Sequence, residues 1–121
     1  MTYIDGFVLA VPTANRERFQ AMATRVGKIF VDHGALRVVE TWGDDVQKGE
    51  ITDLHRAVLA REEETVVFSW IEWPSKEARD RGNSAVAADP RLDPLPEEAD
   101  LMDSKRMIYG GFVPLVDEKQ A

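Results

Sequence analysis

The chain is predicted to fold as one α+β domain, an antiparallel four-stranded sheet with two helices on one face. Two observations predict this. Strand-like and helix-like apolar patterns alternate along the chain in the order β-α-β-β-α-β, the split βαβ arrangement. The strands are apolar on both faces, while two helices can cover only one face of such a sheet. The uncovered face is therefore expected to meet a second copy of the chain, giving a homodimer.

Each element has a local cause. Residues 3–12 read as a strand stopped by Pro12, and Asp5-Gly6 within it allows a bulge or a close backbone approach. Thr13 is a candidate N-cap for a helix in which Phe19, Met22, Ala23, Val26, Ile29 and Phe30 recur at helical spacing. On that helix Arg16, Arg18, Gln20 and Lys28 are expected to face water. Asp32-His33-Gly34 closes it, with Gly34 in the left-handed position. Residues 36–42 form a second strand, and Gly43-Asp44-Asp45 ends it. Residues 44–64 are polar and irregular, apart from a short packed turn suggested by Leu54, Ala57, Val58 and Leu59.

Residues 65–73 are the strongest strand, rich in β-branched and aromatic side chains on both faces. Pro74 stops it and Ser75 caps the next helix. Ala78, Gly82, Ala85 and Val86 give that helix a face of small residues, suited to lying close to a sheet. Gly82 costs about 1 kcal/mol in a helix interior, which makes sense if it permits that approach. Pro90, Pro94 and Pro96 make residues 90–104 an extended connection. Residues 106–116 form the last strand, where Gly110-Gly111 again allows a close approach. The domain is expected to span residues 1–116, with 117–121 as a fraying tail.

Composition removes several function classes. The chain has 121 residues, enough for one domain that buries roughly two-thirds of its unfolded surface. It has no cysteine, which excludes disulfides, thiolate catalysis and cysteine-held metal clusters. A net charge of −7 argues against nucleic-acid binding, which depends on cations neutralising phosphates. The first residues lack a basic leader, and no apolar run reaches the ~20 residues of a membrane span, so a cytoplasmic protein without membrane contact is expected. Phosphate-loop and nucleophile-elbow patterns are absent.

Several runs resemble a known family. Asp5-Gly6-Phe7-Val8, His33-Gly34-Ala35-Leu36, Trp42-Gly43-Asp44-Asp45-Val46 and Val66-Val67-Phe68-Ser69-Trp70 are four of them. Ala88-Asp89-Pro90-Arg91 and the closing Lys105-Arg106-Met107-Ile108-Tyr109-Gly110-Gly111-Phe112 are the others. Together they are similar to the YbaA-like family, a bacterial family of unknown function. The resemblance implies the dimeric α/β-barrel superfamily, in which two ferredoxin-like sheets pack face to face. Its members include cofactor-independent quinol monooxygenases, lactone isomerases, haem-dependent enzymes and amino-acid-responsive regulators. Fold alone does not choose among these. Where relatives often carry a cysteine near the end of the second strand, this chain has Thr41.

Polar residues inside apolar strands are the candidate catalytic groups. Asp5, Glu40 and Glu72 are strand carboxylates, and a buried carboxylate with a raised pKa serves as a general base or acid. Asp5 or Glu40 would be the base, and Arg106 or Tyr109 would stabilise a developing oxyanion. Phe7, Trp42, Phe68 and Trp70 would line a pocket for a flat organic ligand. The competing readings are plain ones: each carboxylate pairs with a basic side chain or sits at a sheet edge, and the aromatics fill the core and the dimer interface. His55 with Asp44, Asp45, Glu50 and Asp53 matches no metal motif, so no metal site is expected, and His33 reads as a helix cap. No cofactor is expected. The functional expectation is a cofactor-free enzyme of monooxygenase or isomerase type, acting on a flat substrate in the barrel cleft. The alternative is a non-catalytic ligand-binding or stress-related module.

Overall fold

The structure, a computed structural model, describes residues 2–121. Four strands form one antiparallel sheet: β1 (Tyr3–Pro12), β2 (Arg37–Glu40), β3 (Glu64–Trp73) and β4 (Ile108–Phe112). Their order across the sheet is β2-β3-β1-β4, so the two longest strands are central. Helix α1 (Arg16–Asp32) connects β1 to β2, a single turn α2 (Leu54–Ala57) lies between β2 and β3, and α3 (Lys76–Ala88) connects β3 to β4. Among the described residues no helix is long and apolar enough to cross a membrane.

The period of two along each strand sorts the side chains. Leu9 and Val11 of β1 and Val67 of β3 meet Phe19 of α1 in one buried cluster. Tyr3, Ile71 and Trp73 form a second cluster with Ala35, against which Phe30 of α1 packs. The connection 89–107 completes this layer. It holds three 3-10 turns, at Pro90–Leu92, Pro96–Glu98 and Ser104–Arg106. It is pinned to α1: Arg25 donates to Glu98 at 2.7 Å, and Asn15 donates to the Leu101 carbonyl at 3.0 Å. Leu101 is buried in the first cluster. The three prolines thus yield a packed strap rather than a simple extended connection.

Other expectations are corrected in detail. Thr13 does not cap α1; it opens a 3-10 turn, and its hydroxyl pairs with that of Thr65 at 2.7 Å. Asn15 precedes α1 without a side-chain cap. Ser75 does cap α3, accepting from the Ala78 amide at 3.0 Å. Strand β2 is shorter than residues 36–42, although the Thr41 and Gly43 amides still donate to β3 carbonyls. Strand β4 is shorter than residues 106–116, because Arg106 lies in a 3-10 turn capped by Asp103 and Pro114 follows Phe112 closely. Gly6 and Gly110 face each other across β1 and β4 in an unbroken register, so the glycines make no bulge. The Phe112 ring lies over both.

The second sheet face is not bare throughout. Val58, just after α2, is buried with Ala10 and Val66, so the chain closes one end of this face itself. Asp53 makes that possible by capping α2, accepting from the Arg56 amide at 2.8 Å. The remainder of the face is open. Ile4, Phe68, Trp70, Ile108 and Phe112 border an apolar concavity of about 630 Å³. Phe112 is 60% exposed, and Leu115, just beyond β4, is 95% exposed.

Candidate functional site

The three strand carboxylates end in three different environments. Asp5 points to the helix side and is buried. Trp73 Nε1 donates to it at 2.9 Å, Arg79 Nε from α3 at 3.0 Å, and Asn83 Nδ2 at 3.5 Å. The Arg79 guanidinium also lies 4.9 Å from the centre of the Tyr3 ring. Gly111 is opposite Asp5 in the sheet, and a Cβ there would fall 2.3 Å from the Tyr3 hydroxyl and 2.4 Å from Arg79 Nη2. Asp5 is thus a sealed ion pair that fastens α3 to β1.

Glu72 points to the opposite, open face. Trp70 Nε1 donates to it at 2.9 Å, and Arg37 Nη1 lies 3.6 Å away. Its side chain is half-buried, held between a neighbour on its own strand and one on the adjacent strand.

Glu40 is the last residue of β2 and sits opposite Ser69. It lines a groove of about 930 Å³ between α1 and the β2 edge. Because residues four apart share a helix face, α1 contributes two rows. The inner row is Phe19, Ala23, Gly27 and Val31; the outer row is Arg16, Gln20, Thr24 and Lys28. Gly27 and Val38 bring helix and strand together, since a Cβ at Gly27 would lie 3.6 Å from the Val38 side chain. Trp42 closes one end, its ring 6.3 Å from that of Phe19, with the Arg16 guanidinium 5.5 Å above it. Glu40 is exposed along the strand edge, with its carboxyl on the side of the sheet that α1 covers. Partial desolvation there pushes its pKa above the ordinary carboxylate value of 4.5, opposed by a hydrogen bond from Ser69. Among the described residues no cation pairs with it.

The remaining candidates do not join this groove. Arg106 grips Glu64 through two hydrogen bonds of 2.7 and 2.6 Å and also bonds Asp103 at 3.1 Å. That grip holds the Glu64 carboxyl down to about 2. Tyr109 is on β4, three strands from β2 and roughly 14 Å across the sheet. It is largely exposed, with its ring stacked on Phe7 at 6.3 Å. Phe68 and Trp70 lie together on the open face, ring centres 5.9 Å apart. Of the expected site, Glu40 and Trp42 share this groove, while Phe7, Phe68, Trp70 and Tyr109 border the apolar concavity of about 630 Å³.

Charged loop residues are engaged structurally. Asp53 serves as the α2 cap, and no group of three His, Asp or Glu side chains that could hold a metal gathers among the described residues. His33 Nε2 meets Asp89 at 2.8 Å, tying the end of α1 to the end of α3. Hydrogen bonds from Arg91 first, and then from His33, hold the Asp89 carboxyl well below the usual range.

Arg16, Gln20 and Lys28 face water as expected and also line the groove; Arg79 is the residue the sequence does not single out. The i, i+4 spacing of the first three with Thr24 was visible. What the sequence does not display is the groove that this row shares with the short β2.

Solved structures with the same fold include SnoaB from Streptomyces nogalater, a cofactor-independent oxygenase. It is 18% identical, with a TM-score of 0.55, covering 98% of this chain and 96% of that one. A dimeric ferredoxin-like protein from an uncultured marine organism is 11% identical, also with a TM-score of 0.55, covering 98% of both chains. The fold is therefore ferredoxin-like. In sequence, the uncharacterized protein YbaA of Escherichia coli K12 is 49% identical over 118 residues, covering 98% of this chain and 100% of the relative. The same match is found in Shigella flexneri. A family model described as a protein of unknown function, DUF1428, matches residues 2–103. With most of its length matched by that model and nearly all of it by YbaA, the chain belongs to the DUF1428 family.

Proposed function

We propose that the chain works as a homodimer in which each protomer binds a flat organic molecule in the α1–β2 groove and moves a proton with Glu40, without a cofactor. The observation that carries this reading is the state of Glu40. Among the described residues it is the one candidate strand carboxylate with no cationic partner, it borders a cavity of about 930 Å³, and partial desolvation raises its pKa. A carboxylate of raised pKa is a stronger base than an ordinary one, and the proton of an acidic O–H or activated C–H would pass to it. Trp42 and Phe19 supply an apolar wall, while Gln20 and Thr24 offer polar groups for orientation. The shared fold with a cofactor-independent oxygenase supports the reaction type as an analogy.

The homodimer rests on the open sheet face, where Phe68, Ile108 and Phe112 are exposed beside a concavity of apolar lining. Light scattering should give twice the 13.6 kDa chain mass, and Phe68→Glu should halve it. A monomer at micromolar concentration without any substitution would refute the dimer.

The catalytic reading is tested by screening phenols and enols for turnover, then repeating with Glu40→Gln. The rate should fall at least ~100-fold, the usual share of a general base, while ligand affinity changes little. One observation favours the second reading, a binding module without chemistry. Among the described groove residues there is no histidine or tyrosine to act as a partner acid. Tight binding with no turnover, unaffected by Glu40→Gln, would favour that module.

A further inference from the structure

We infer that the groove selects organic anions, planar molecules whose acidic group is held by Arg16. This rests on the reading of the groove as a ligand site and names the class of ligand. Charge distribution is the first reason. The chain as a whole carries −7, yet Arg16, Lys28 and Arg91 line the groove against only Asp32 and Glu40. The surface around the groove thus repels anions while the groove itself does not.

The pairing of these charges narrows the anion's position. Arg91 is already neutralised, by Asp32 and Asp89 at 2.8 Å each. Lys28 stands at that same end, where Asp32 lowers the potential. Arg16 stands at the other end, about 18 Å along α1 given 1.5 Å per residue. Among the described residues no carboxylate pairs with it. Its guanidinium is held over the Trp42 ring at 5.5 Å, which places a cation at the groove mouth rather than in free solvent. A guanidinium so placed has donors in a fork that suits a carboxylate or phenolate.

The middle of the groove fits the rest of such a ligand. Ala23 offers only a methyl group on the α1 wall beside the Gly27–Val38 contact, and Glu40 lines the same groove from β2. A ring system resting on that wall would have its acidic group toward Arg16 and an ionisable hydrogen toward Glu40. Lys28 would add attraction along the groove without gripping the same group.

The test uses calorimetry on the full chain with two probes of nearly equal shape, 2-naphthoate and neutral 2-naphthamide. The naphthoate should bind about 10-fold tighter at low salt, and that preference should shrink as salt rises. Arg16→Gln should reduce it to within about twofold, and Lys28→Gln should reduce it less. Thr24→Trp, an exposed position on the outer row, should block both probes by filling the groove. Equal binding of the two probes, still blocked by Thr24→Trp, would overturn the anion preference and leave the groove as the site. Binding that ignores Thr24→Trp would overturn the groove itself. Failure of the naphthoate to bind at millimolar concentration would overturn the inference as well.

Discussion

The two long helices lie over the same face of the sheet, yet they treat the carboxylates beneath them in opposite ways. Helix α3 comes down fully: a Cβ on Gly82 would lie 2.2 Å from the Trp73 ring, so only glycine admits that indole. With the indole and Arg79 both in place, Asp5 is surrounded by donors and has no free space beside it. Helix α1 meets an edge strand of only four residues, and touches it at Gly27 and Val38. Past that point a groove remains, and Glu40 is left beside it with no cation among the described residues to neutralise it. The difference teaches that burial in a strand does not make a carboxylate reactive. What decides its chemistry is whether the neighbouring helix delivers a cation, and that is settled by how closely the helix approaches.

The largest effect should come from breaking the closed side. Arg79→Leu would leave Asp5 buried without its charge partner, and such uncompensated charges cost about 3–5 kcal/mol. Urea unfolding should show that loss, and adding Asp5→Asn should recover a good part of it, since the double variant buries no charge. If Arg79→Leu alone costs less than about 1 kcal/mol, the ion pair does not fasten α3 as described. Next in size is Gly82→Ala. In an exposed helix this change would gain about 1 kcal/mol. Against Trp73 it should instead destabilise by about 2 kcal/mol, the usual range for overpacking. A stabilised Gly82→Ala protein would mean that α3 can lift from the sheet.

Much of the closed side was legible in the sequence. The small residues of α3, its Ser75 cap and the strand from Val66 to Trp73 all follow from local patterns. Period-two alternation also shows that Tyr3, Asp5 and Phe7 share one face, while Phe68, Trp70 and Glu72 share another. The expected site nonetheless gathered residues that the structure divides between two cavities: Glu40 and Trp42 border the groove beside α1, and Phe7, Phe68, Trp70 and Tyr109 the concavity at the β1–β4 side. Arg79 as the partner of Asp5 was not legible, because the two lie 74 positions apart and only the helix crossing joins them. The groove was hidden for a different reason. Arg16, Gln20 and Lys28 carry the pattern of a solvated helix face, and that pattern is identical whether the strand beside it is long or short. The connection expected over 90–104 does lack a helix of any length, but its packing was not legible, because proline stops α-helices and not short 3-10 turns packed on a core.

The smallest predicted effect separates the two carboxylates most cleanly. Asp5→Asn weakens a charge-assisted buried network and should destabilise by about 2 kcal/mol. Glu40→Gln should do the reverse. Because the folded protein raises the Glu40 pKa above 4.5, it favours the protonated form relative to the unfolded chain. Ionised Glu40 therefore opposes folding, and stability contributed by this residue falls as pH rises from the unfolded pKa through the raised folded one. At neutral pH the neutral glutamine escapes that penalty. The gain should stay within about 0.5 kcal/mol, because the residue is exposed at a strand edge and water screens it. The difference between the two proteins should vanish below pH ~4, where both side chains are uncharged. A small gain in melting temperature at neutral pH, absent in acid and accompanied by loss of proton transfer, would mark Glu40 as a carboxylate held ready at a cost in stability. A loss of stability in Glu40→Gln at neutral pH would instead place it with Asp5, as a structural group.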